Sequence, residues 1–214
     1  MTLRCFDLAS VKSASLTREP FPYIIVPGFV RPGACVEINR DYPSISEPGS
    51  FPAAQLTYGP SFQDCLAELG TEEFREVFEE KFGLDLKGKP HTITVRGRCS
   101  SRDGRIHTDT KSKIITILIY MNSEWEHPNG RLRLLKSSSS LEDPIVEVPP
   151  TAGTLLAFKR SDNSWHGHKP FAGERRVIQF NWVNSEGDRR VAMLRHRLSA
   201  KLKRLFSRAD QPAA

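Results

Sequence analysis

From Pro90 onward the chain breaks into short segments rich in β-branched residues, each closed off by turn residues. The segments are His91 to Arg98, Lys113 to Met121, Arg131 to Leu135, Ile145 to Val148, Gly153 to Phe158, Trp165 to His168 and Arg175 to Val183. Seven strands at this pitch predict a sandwich or jelly roll. Before Pro90 the periodicity is different. Tyr23 to Val26 reads as one strand between prolines, and Pro32 opens a helix running to Arg40. Pro43 to Pro60 reads as a loop. Phe62, Leu66, Leu69, Phe74, Val77, Phe78 and Phe82 recur at helical spacing, as two helices broken near Gly70. Helices first and strands later predict an α+β fold, with helices bracing one sheet.

The chain is long enough, at 214 residues, for one domain with its own core. No run reaches the roughly 18 apolar residues of a membrane span. Met1 to Leu16 has no basic segment followed by an apolar block, so a cytoplasmic enzyme is the expectation. Cys5, Cys35, Cys65 and Cys99 are too widely spaced for a local metal knuckle and read as reduced thiols, with a disulfide as the lesser alternative. The formal charge of +6 is uneven. Between Arg189 and Arg208 lie eight Lys/Arg and no acid, which leaves −2 for the remainder. A body that near neutrality does not suit nucleic-acid binding.

Within that tail Val191, Leu194, Leu198, Leu202, Leu205 and Phe206 fall on one helical stripe among the basic residues. The expectation is that this stripe packs on the body while the charges are solvated. The alternative is peripheral contact with an anionic surface. The organisation expected is one domain over 1–187, with its motif region at 90–184, and a basic C-terminal amphipathic helix and tail over 188–214.

His107-Thr108-Asp109 stands just before the Lys113 strand. In an extended segment, residues two apart project to the same side, so an imidazole and a carboxylate converge. A distant His166 would complete a two-histidine, one-carboxylate face with open positions for a co-substrate and oxygen, which suits iron(II). Alone, the pair also fits a surface turn, and Arg102-Asp103-Gly104-Arg105 before it has turn composition.

The surrounding residues carry more. From about Thr92 to Val183 the chain reads GRIHTDTKSKIITILIYMNSEW, then NGRLRLL, then PPTAGTLLAFKRSDNSWHGHKPFAGERRVIQFNWV. This resembles the 2-oxoglutarate/iron(II) dioxygenases of the prolyl-4-hydroxylase-like branch. Their order of parts is His-x-Asp, a strand ending Tyr-Leu-Asn, a Gly-Gly strand, a Pro-x-x-Gly strand ending in Phe, then His and Arg or Lys. Here Met121 replaces the Leu and Asn129 the first Gly. The earlier YIIVPGFVRPGACVEI is similar to the family's entry strand and helix.

The resemblance implies a double-stranded β-helix with His107, Asp109 and His166 as metal ligands, and His168 as a substitute for the last. It implies Fe(II), 2-oxoglutarate and O2 as cofactor and co-substrates, with ascorbate an optional reductant. The distal carboxylate of 2-oxoglutarate needs a guanidinium, and both Arg175 and Arg176 have the family's spacing. The small, polar face that continues from Arg175 through Val177, Gln179 and Asn181 favours Arg175. Tyr120 maps onto a tyrosine that bonds the same carboxylate in some relatives. His91, His127 and His196 match nothing and read as solvated. Asp109 favours hydroxylation or another oxidation over halogenation, because related halogenases lack this carboxylate. A small molecule, a saccharide or a peptidyl group all suit as substrate. The rival readings are a cupin-type metal enzyme that does not use 2-oxoglutarate, and a silent binding module.

Overall fold

A computed structural model describes residues 4–209, with side chains placed through residue 198. The elements are α1 (Leu8–Ser13), β1 (Tyr23–Val26), α2 (Pro32–Arg40), β2 (Phe51–Pro52), α3 (Pro60–Glu68), α4 (Glu72–Phe82), β3 (His91–Cys99), β4 (Lys113–Tyr120), β5 (Leu132–Leu135), β6 (Pro144–Val148), β7 (Leu155–Lys159), β8 (His166–Gly167), β9 (Gly173–Val183) and α5 (Glu186–Ala209). The strands form two sheets, β1-β7-β4-β9-β3-β2 and β6-β5-β8, and every pairing within them is antiparallel.

Alternation along the strands sorts the side chains into two layers. Ile115, Ile117 and Ile119 of β4, with Ile178, Phe180 and Trp182 of β9, belong to a core shared with the helices. Phe74 of α4 is fully buried there, its ring centroid 5.6 Å from that of Phe180 and 5.8 Å from that of Trp182. The intervening residues point between the sheets. Tyr120, Leu156, Phe158 and Val177 of the large sheet meet Leu132 and Leu134 of β5 and Val148 of β6 in a second, smaller core. Towards the other end of the same inner face the residues turn polar, with Thr92, Thr94, Thr116 and Asn181 all buried. The sheets are therefore sealed at one end and hydrophilic at the other.

Helix boundaries follow local chemistry. Pro32 and Pro60 occupy the first turns of α2 and α3. Thr71 caps α4 by accepting from Phe74 N, and Gly83 ends it in the left-handed conformation. Two short elements were not expected: α1, and β2 inside the expected loop at 43–60.

α5 packs along β2 and β3. The expectation that its apolar stripe covers the body does not hold for the described part of that stripe. Val191, Leu194 and Leu198 are 59%, 55% and 54% exposed, while Ala192, Met193 and His196 on the other side are half-buried. The body offers β2 and the edge of β3 here, and His196 fills that contact. Leu202, Leu205 and Phe206 lie beyond the described side chains, and 210–214 lie outside the described residues. Two other histidines also depart from expectation. His91 is half-buried with its ring 4.9 Å from that of Phe180, and His196 is half-buried beside Ser50. His127 is exposed. All four cysteines are free. Among the described residues no helix is long and apolar enough to cross a membrane.

Candidate metal centre and co-substrate pocket

His107 and His166 form an antiparallel bridge between backbones. His107 N donates to His166 O at 3.0 Å, and His166 N donates to His107 O at 2.9 Å. Residues directly opposed in such a pair put their side chains on the same face. The two rings accordingly stand 4.3 Å apart. Asp109, two residues on, joins them: one ligand atom from each of His107, Asp109 and His166 lies within 4.8 Å of the others.

The tautomers follow from the neighbours. Nδ1 of His107 is 2.8 Å from Arg105 O, and Nδ1 of His166 is 2.9 Å from Ser164 O. A carbonyl can only accept, so each Nδ1 carries the proton and each Nε2 keeps a free lone pair. Burial pushes the His166 imidazole down to about 4, against the opposing pull of Asp109. Burial would raise the Asp109 carboxyl, but Lys113 and His166 outweigh it and hold it far below the ordinary range. Lys113 Nζ sits 2.7 Å from Asp109 Oδ1, and Thr116 donates to Asp109 Oδ2. Two neutral imidazoles and one ionised carboxylate are the protonation states a divalent metal needs, so this donor set fits iron(II).

Behind the carboxylate runs a polar chain that the sequence reading missed. Asn181 Oδ1 lies 3.0 Å from the same Thr116 hydroxyl, and Asn181 Nδ2 donates to Thr92 Oγ1 at 3.2 Å. Thr116 pairs with Asn181 and Asn181 with Thr92 across β4, β9 and β3. The only signal in the sequence was an unusual number of polar residues at inward positions of otherwise apolar strands.

The three ligands line a cavity of about 150 Å³, whose walls include Ser50, Thr94, Arg96, Leu118, Phe158, His168, Arg175, Val177 and Gln179. Arg175 is 5% exposed. Its Nε donates to Gly130 O at 2.8 Å, and its guanidinium lies 5.4 Å from the centre of the Tyr120 ring. No ion pair forms with it among the described residues. The fully buried Tyr120 hydroxyl stands beside this guanidinium without a well-aligned hydrogen-bond partner. A buried cation without a counter-charge, next to a buried hydroxyl, is a receptor for an anion. Arg176 projects to the opposite face. It reaches Asn39 O at 3.2 Å and Glu174 Oε1 at 2.9 Å, and its guanidinium lies 5.3 Å from the centre of the Tyr42 ring.

His168 lines the cavity but stands outside the cluster of ligand atoms. Burial, and then Arg175, push it down to about 4, and its Nδ1 is 2.8 Å from Lys169 O. The turn at 103–105 presses on this segment. Gly104 has φ +91°, and a Cβ there would come within 2.4 Å of His168 Nδ1 and of His168 O. Only glycine lets the turn lie that close.

An antiparallel double-stranded β-helix with two histidines and a carboxylate converging at its open end defines a class: mononuclear non-haem metalloenzymes that leave coordination positions free for reactants. Residues 98–184 match the family model of the 2OG-Fe(II) oxygenase superfamily. No curated protein matches the sequence. Among solved structures, a prolyl-4-hydroxylase from Pseudomonas putida superposes with a TM-score of 0.54 at 18% identity, covering 83% of this chain and 98% of that one. A viral collagen prolyl hydroxylase from Paramecium bursaria Chlorella virus-1 gives 0.52 at 16% identity, over 77% and 90% of the two chains. Its complex with 2-oxoglutarate gives 0.50 at 16%, over 76% and 96%. At these identities the likeness is one of fold.

Proposed function

We propose that the protein couples oxidative decarboxylation of 2-oxoglutarate to hydroxylation of an unactivated C–H bond in a small-molecule, saccharide or peptidyl substrate. One observation carries this reading: a buried, counter-charge-free Arg175 shares a cavity with His107, Asp109 and His166. A metal enzyme that did not use a dicarboxylate would have no use for that cation.

His107 and His166 would hold the metal through Nε2, and Asp109 through a carboxylate oxygen. Bound there with O2, iron(II) supplies the oxidising chemistry, and 2-oxoglutarate supplies electrons on its way to succinate and CO2. Arg175 anchors the distal carboxylate, with the Tyr120 hydroxyl beside it. Leu118, Phe158 and Val177 flank this slot with apolar surface and keep water from it. Thr116 fixes the Asp109 carboxylate, and Asn181 and Thr92 fix Thr116. Ser50, Thr94, Arg96 and Gln179 add polar groups to the cavity wall. The test is succinate formation from 2-oxoglutarate with and without Fe(II), alone and with candidate substrates. Iron-independent turnover, or no turnover with any substrate under reducing conditions, would sink the reading.

A further inference from the structure

We propose that α5 docks the protein on an anionic lipid bilayer, laying the stripe that begins at Val191, Leu194 and Leu198 into the membrane interface. All three residues are more than half exposed, and they make up all but one of the exposed large hydrophobics among the described residues. Their spacing of three and four places them on one helical face. That face points away from the protein, because the opposite side is the one in contact: His196 is half-buried beside Ser50 and near Lys113 and Arg96.

Charge selects the occupant. The chain's excess of positive charge resides on this helix, with eight Lys/Arg and no acid between Arg189 and Arg208. An exposed apolar stripe bordered by lysine and arginine meets acyl chains at its centre and phosphate headgroups at its edges. A second copy of the same helix would set two strongly basic surfaces against each other. Nucleic acid would use the charges and leave the leucines in water. A helix this rich in charge lies on a bilayer and does not cross it. Ser50 and Arg96, beside which His196 rests, also line the metal cavity. α5 thus stands between the cavity wall and the lipid surface on which it docks.

The test is flotation of the full chain with vesicles of phosphatidylcholine alone, or with about one-third phosphatidylglycerol, at low and high salt. Binding is expected only to the anionic vesicles, falling as salt rises. The pair Leu194→Glu and Leu198→Glu should lower partitioning by about tenfold or more. Both side chains are exposed, so the melting temperature and turnover of 2-oxoglutarate in solution should not change. Those two readings separate failure of docking from failure of the fold or of the proposed chemistry. The inference is overturned if wild type does not float with anionic vesicles, if it binds both vesicle types alike, or if the double variant binds as wild type does.

Discussion

Two backbone carbonyls, Arg105 O and Ser164 O, take the Nδ1 protons of the facing histidines and so turn Nε2 of each towards a common point. The third ligand is kept ionised by Lys113 and Thr116. Asp109→Ala removes the only carboxylate of the set, and we expect succinate formation to vanish with a loss of iron affinity of at least about 100-fold. Retained turnover, followed by succinate release, would remove Asp109 from the site. The arginines separate by face. Arg175→Met should raise the KM for 2-oxoglutarate by roughly tenfold or more, the value of a lost charge-assisted pair, while Arg176→Met should change it by less than about twofold. Equal effects would mean that neither face is privileged. His168 gives a pH-dependent prediction. Its imidazole titrates near 4 in the folded protein against 6.5 as a free group, so between these values the unfolded chain holds more protons. The contribution is complete above about 6.5 and is lost as pH falls towards 4. Thermal melts of metal-free protein should therefore fall from pH 7 to pH 5, and fall less steeply in His168→Gln. A variant with the wild-type slope would contradict this.

The elements differ in how far their sequences announce them. β4 and β9 declared themselves through β-branched runs, and α2 through a proline at its first turn, because these signals are local. α1, at six residues, has a single fully buried side chain, Val11, and too short a period to read. β2 is two residues that pair with β3, a long-range contact with no local signature. The stripe on α5 is amphipathic in sequence, but periodicity does not say which face meets the body. Likewise His-x-Asp was visible as a pair, whereas its convergence with His166 depends on a bridge between segments 59 residues apart. The polar inner rows of β3, β4 and β9 became meaningful only when Thr92, Asn181 and Thr116 lined up across three strands. On the outer face, α4 is held by Phe74, whose ring meets Phe6, Phe29, Phe78, Phe180 and Trp182. Phe74→Ala leaves a cavity between helix and sheet and should cost about 3–5 kcal/mol in denaturant unfolding. A loss below about 1 kcal/mol would mean that α4 contributes little to the sheet's stability.

On the scale of the molecule, the two cores and the polar end are one design: the apolar layers fix the sheets, and the polar end receives what they do not fill. A group that binds there touches both sheets, since His166 belongs to the small one while Arg175 and Val177 belong to the large one. Binding should thus stabilise the whole domain cooperatively and not merely order a loop. Ligand at about 100 times its dissociation constant adds about 2.7 kcal/mol to the folded state. For a chain of this length that corresponds to roughly 5–10 °C in melting temperature. Anaerobic Fe(II), or a redox-inert divalent surrogate such as Mn(II), should raise the melting temperature, and 2-oxoglutarate should raise it further only when the metal is present. In Asp109→Ala both increments should disappear. In Arg175→Met the metal increment should remain while the 2-oxoglutarate increment shrinks. If 2-oxoglutarate stabilised the Asp109→Ala protein as much as wild type, the dicarboxylate would be binding away from the metal, and the single shared pocket would have to be given up.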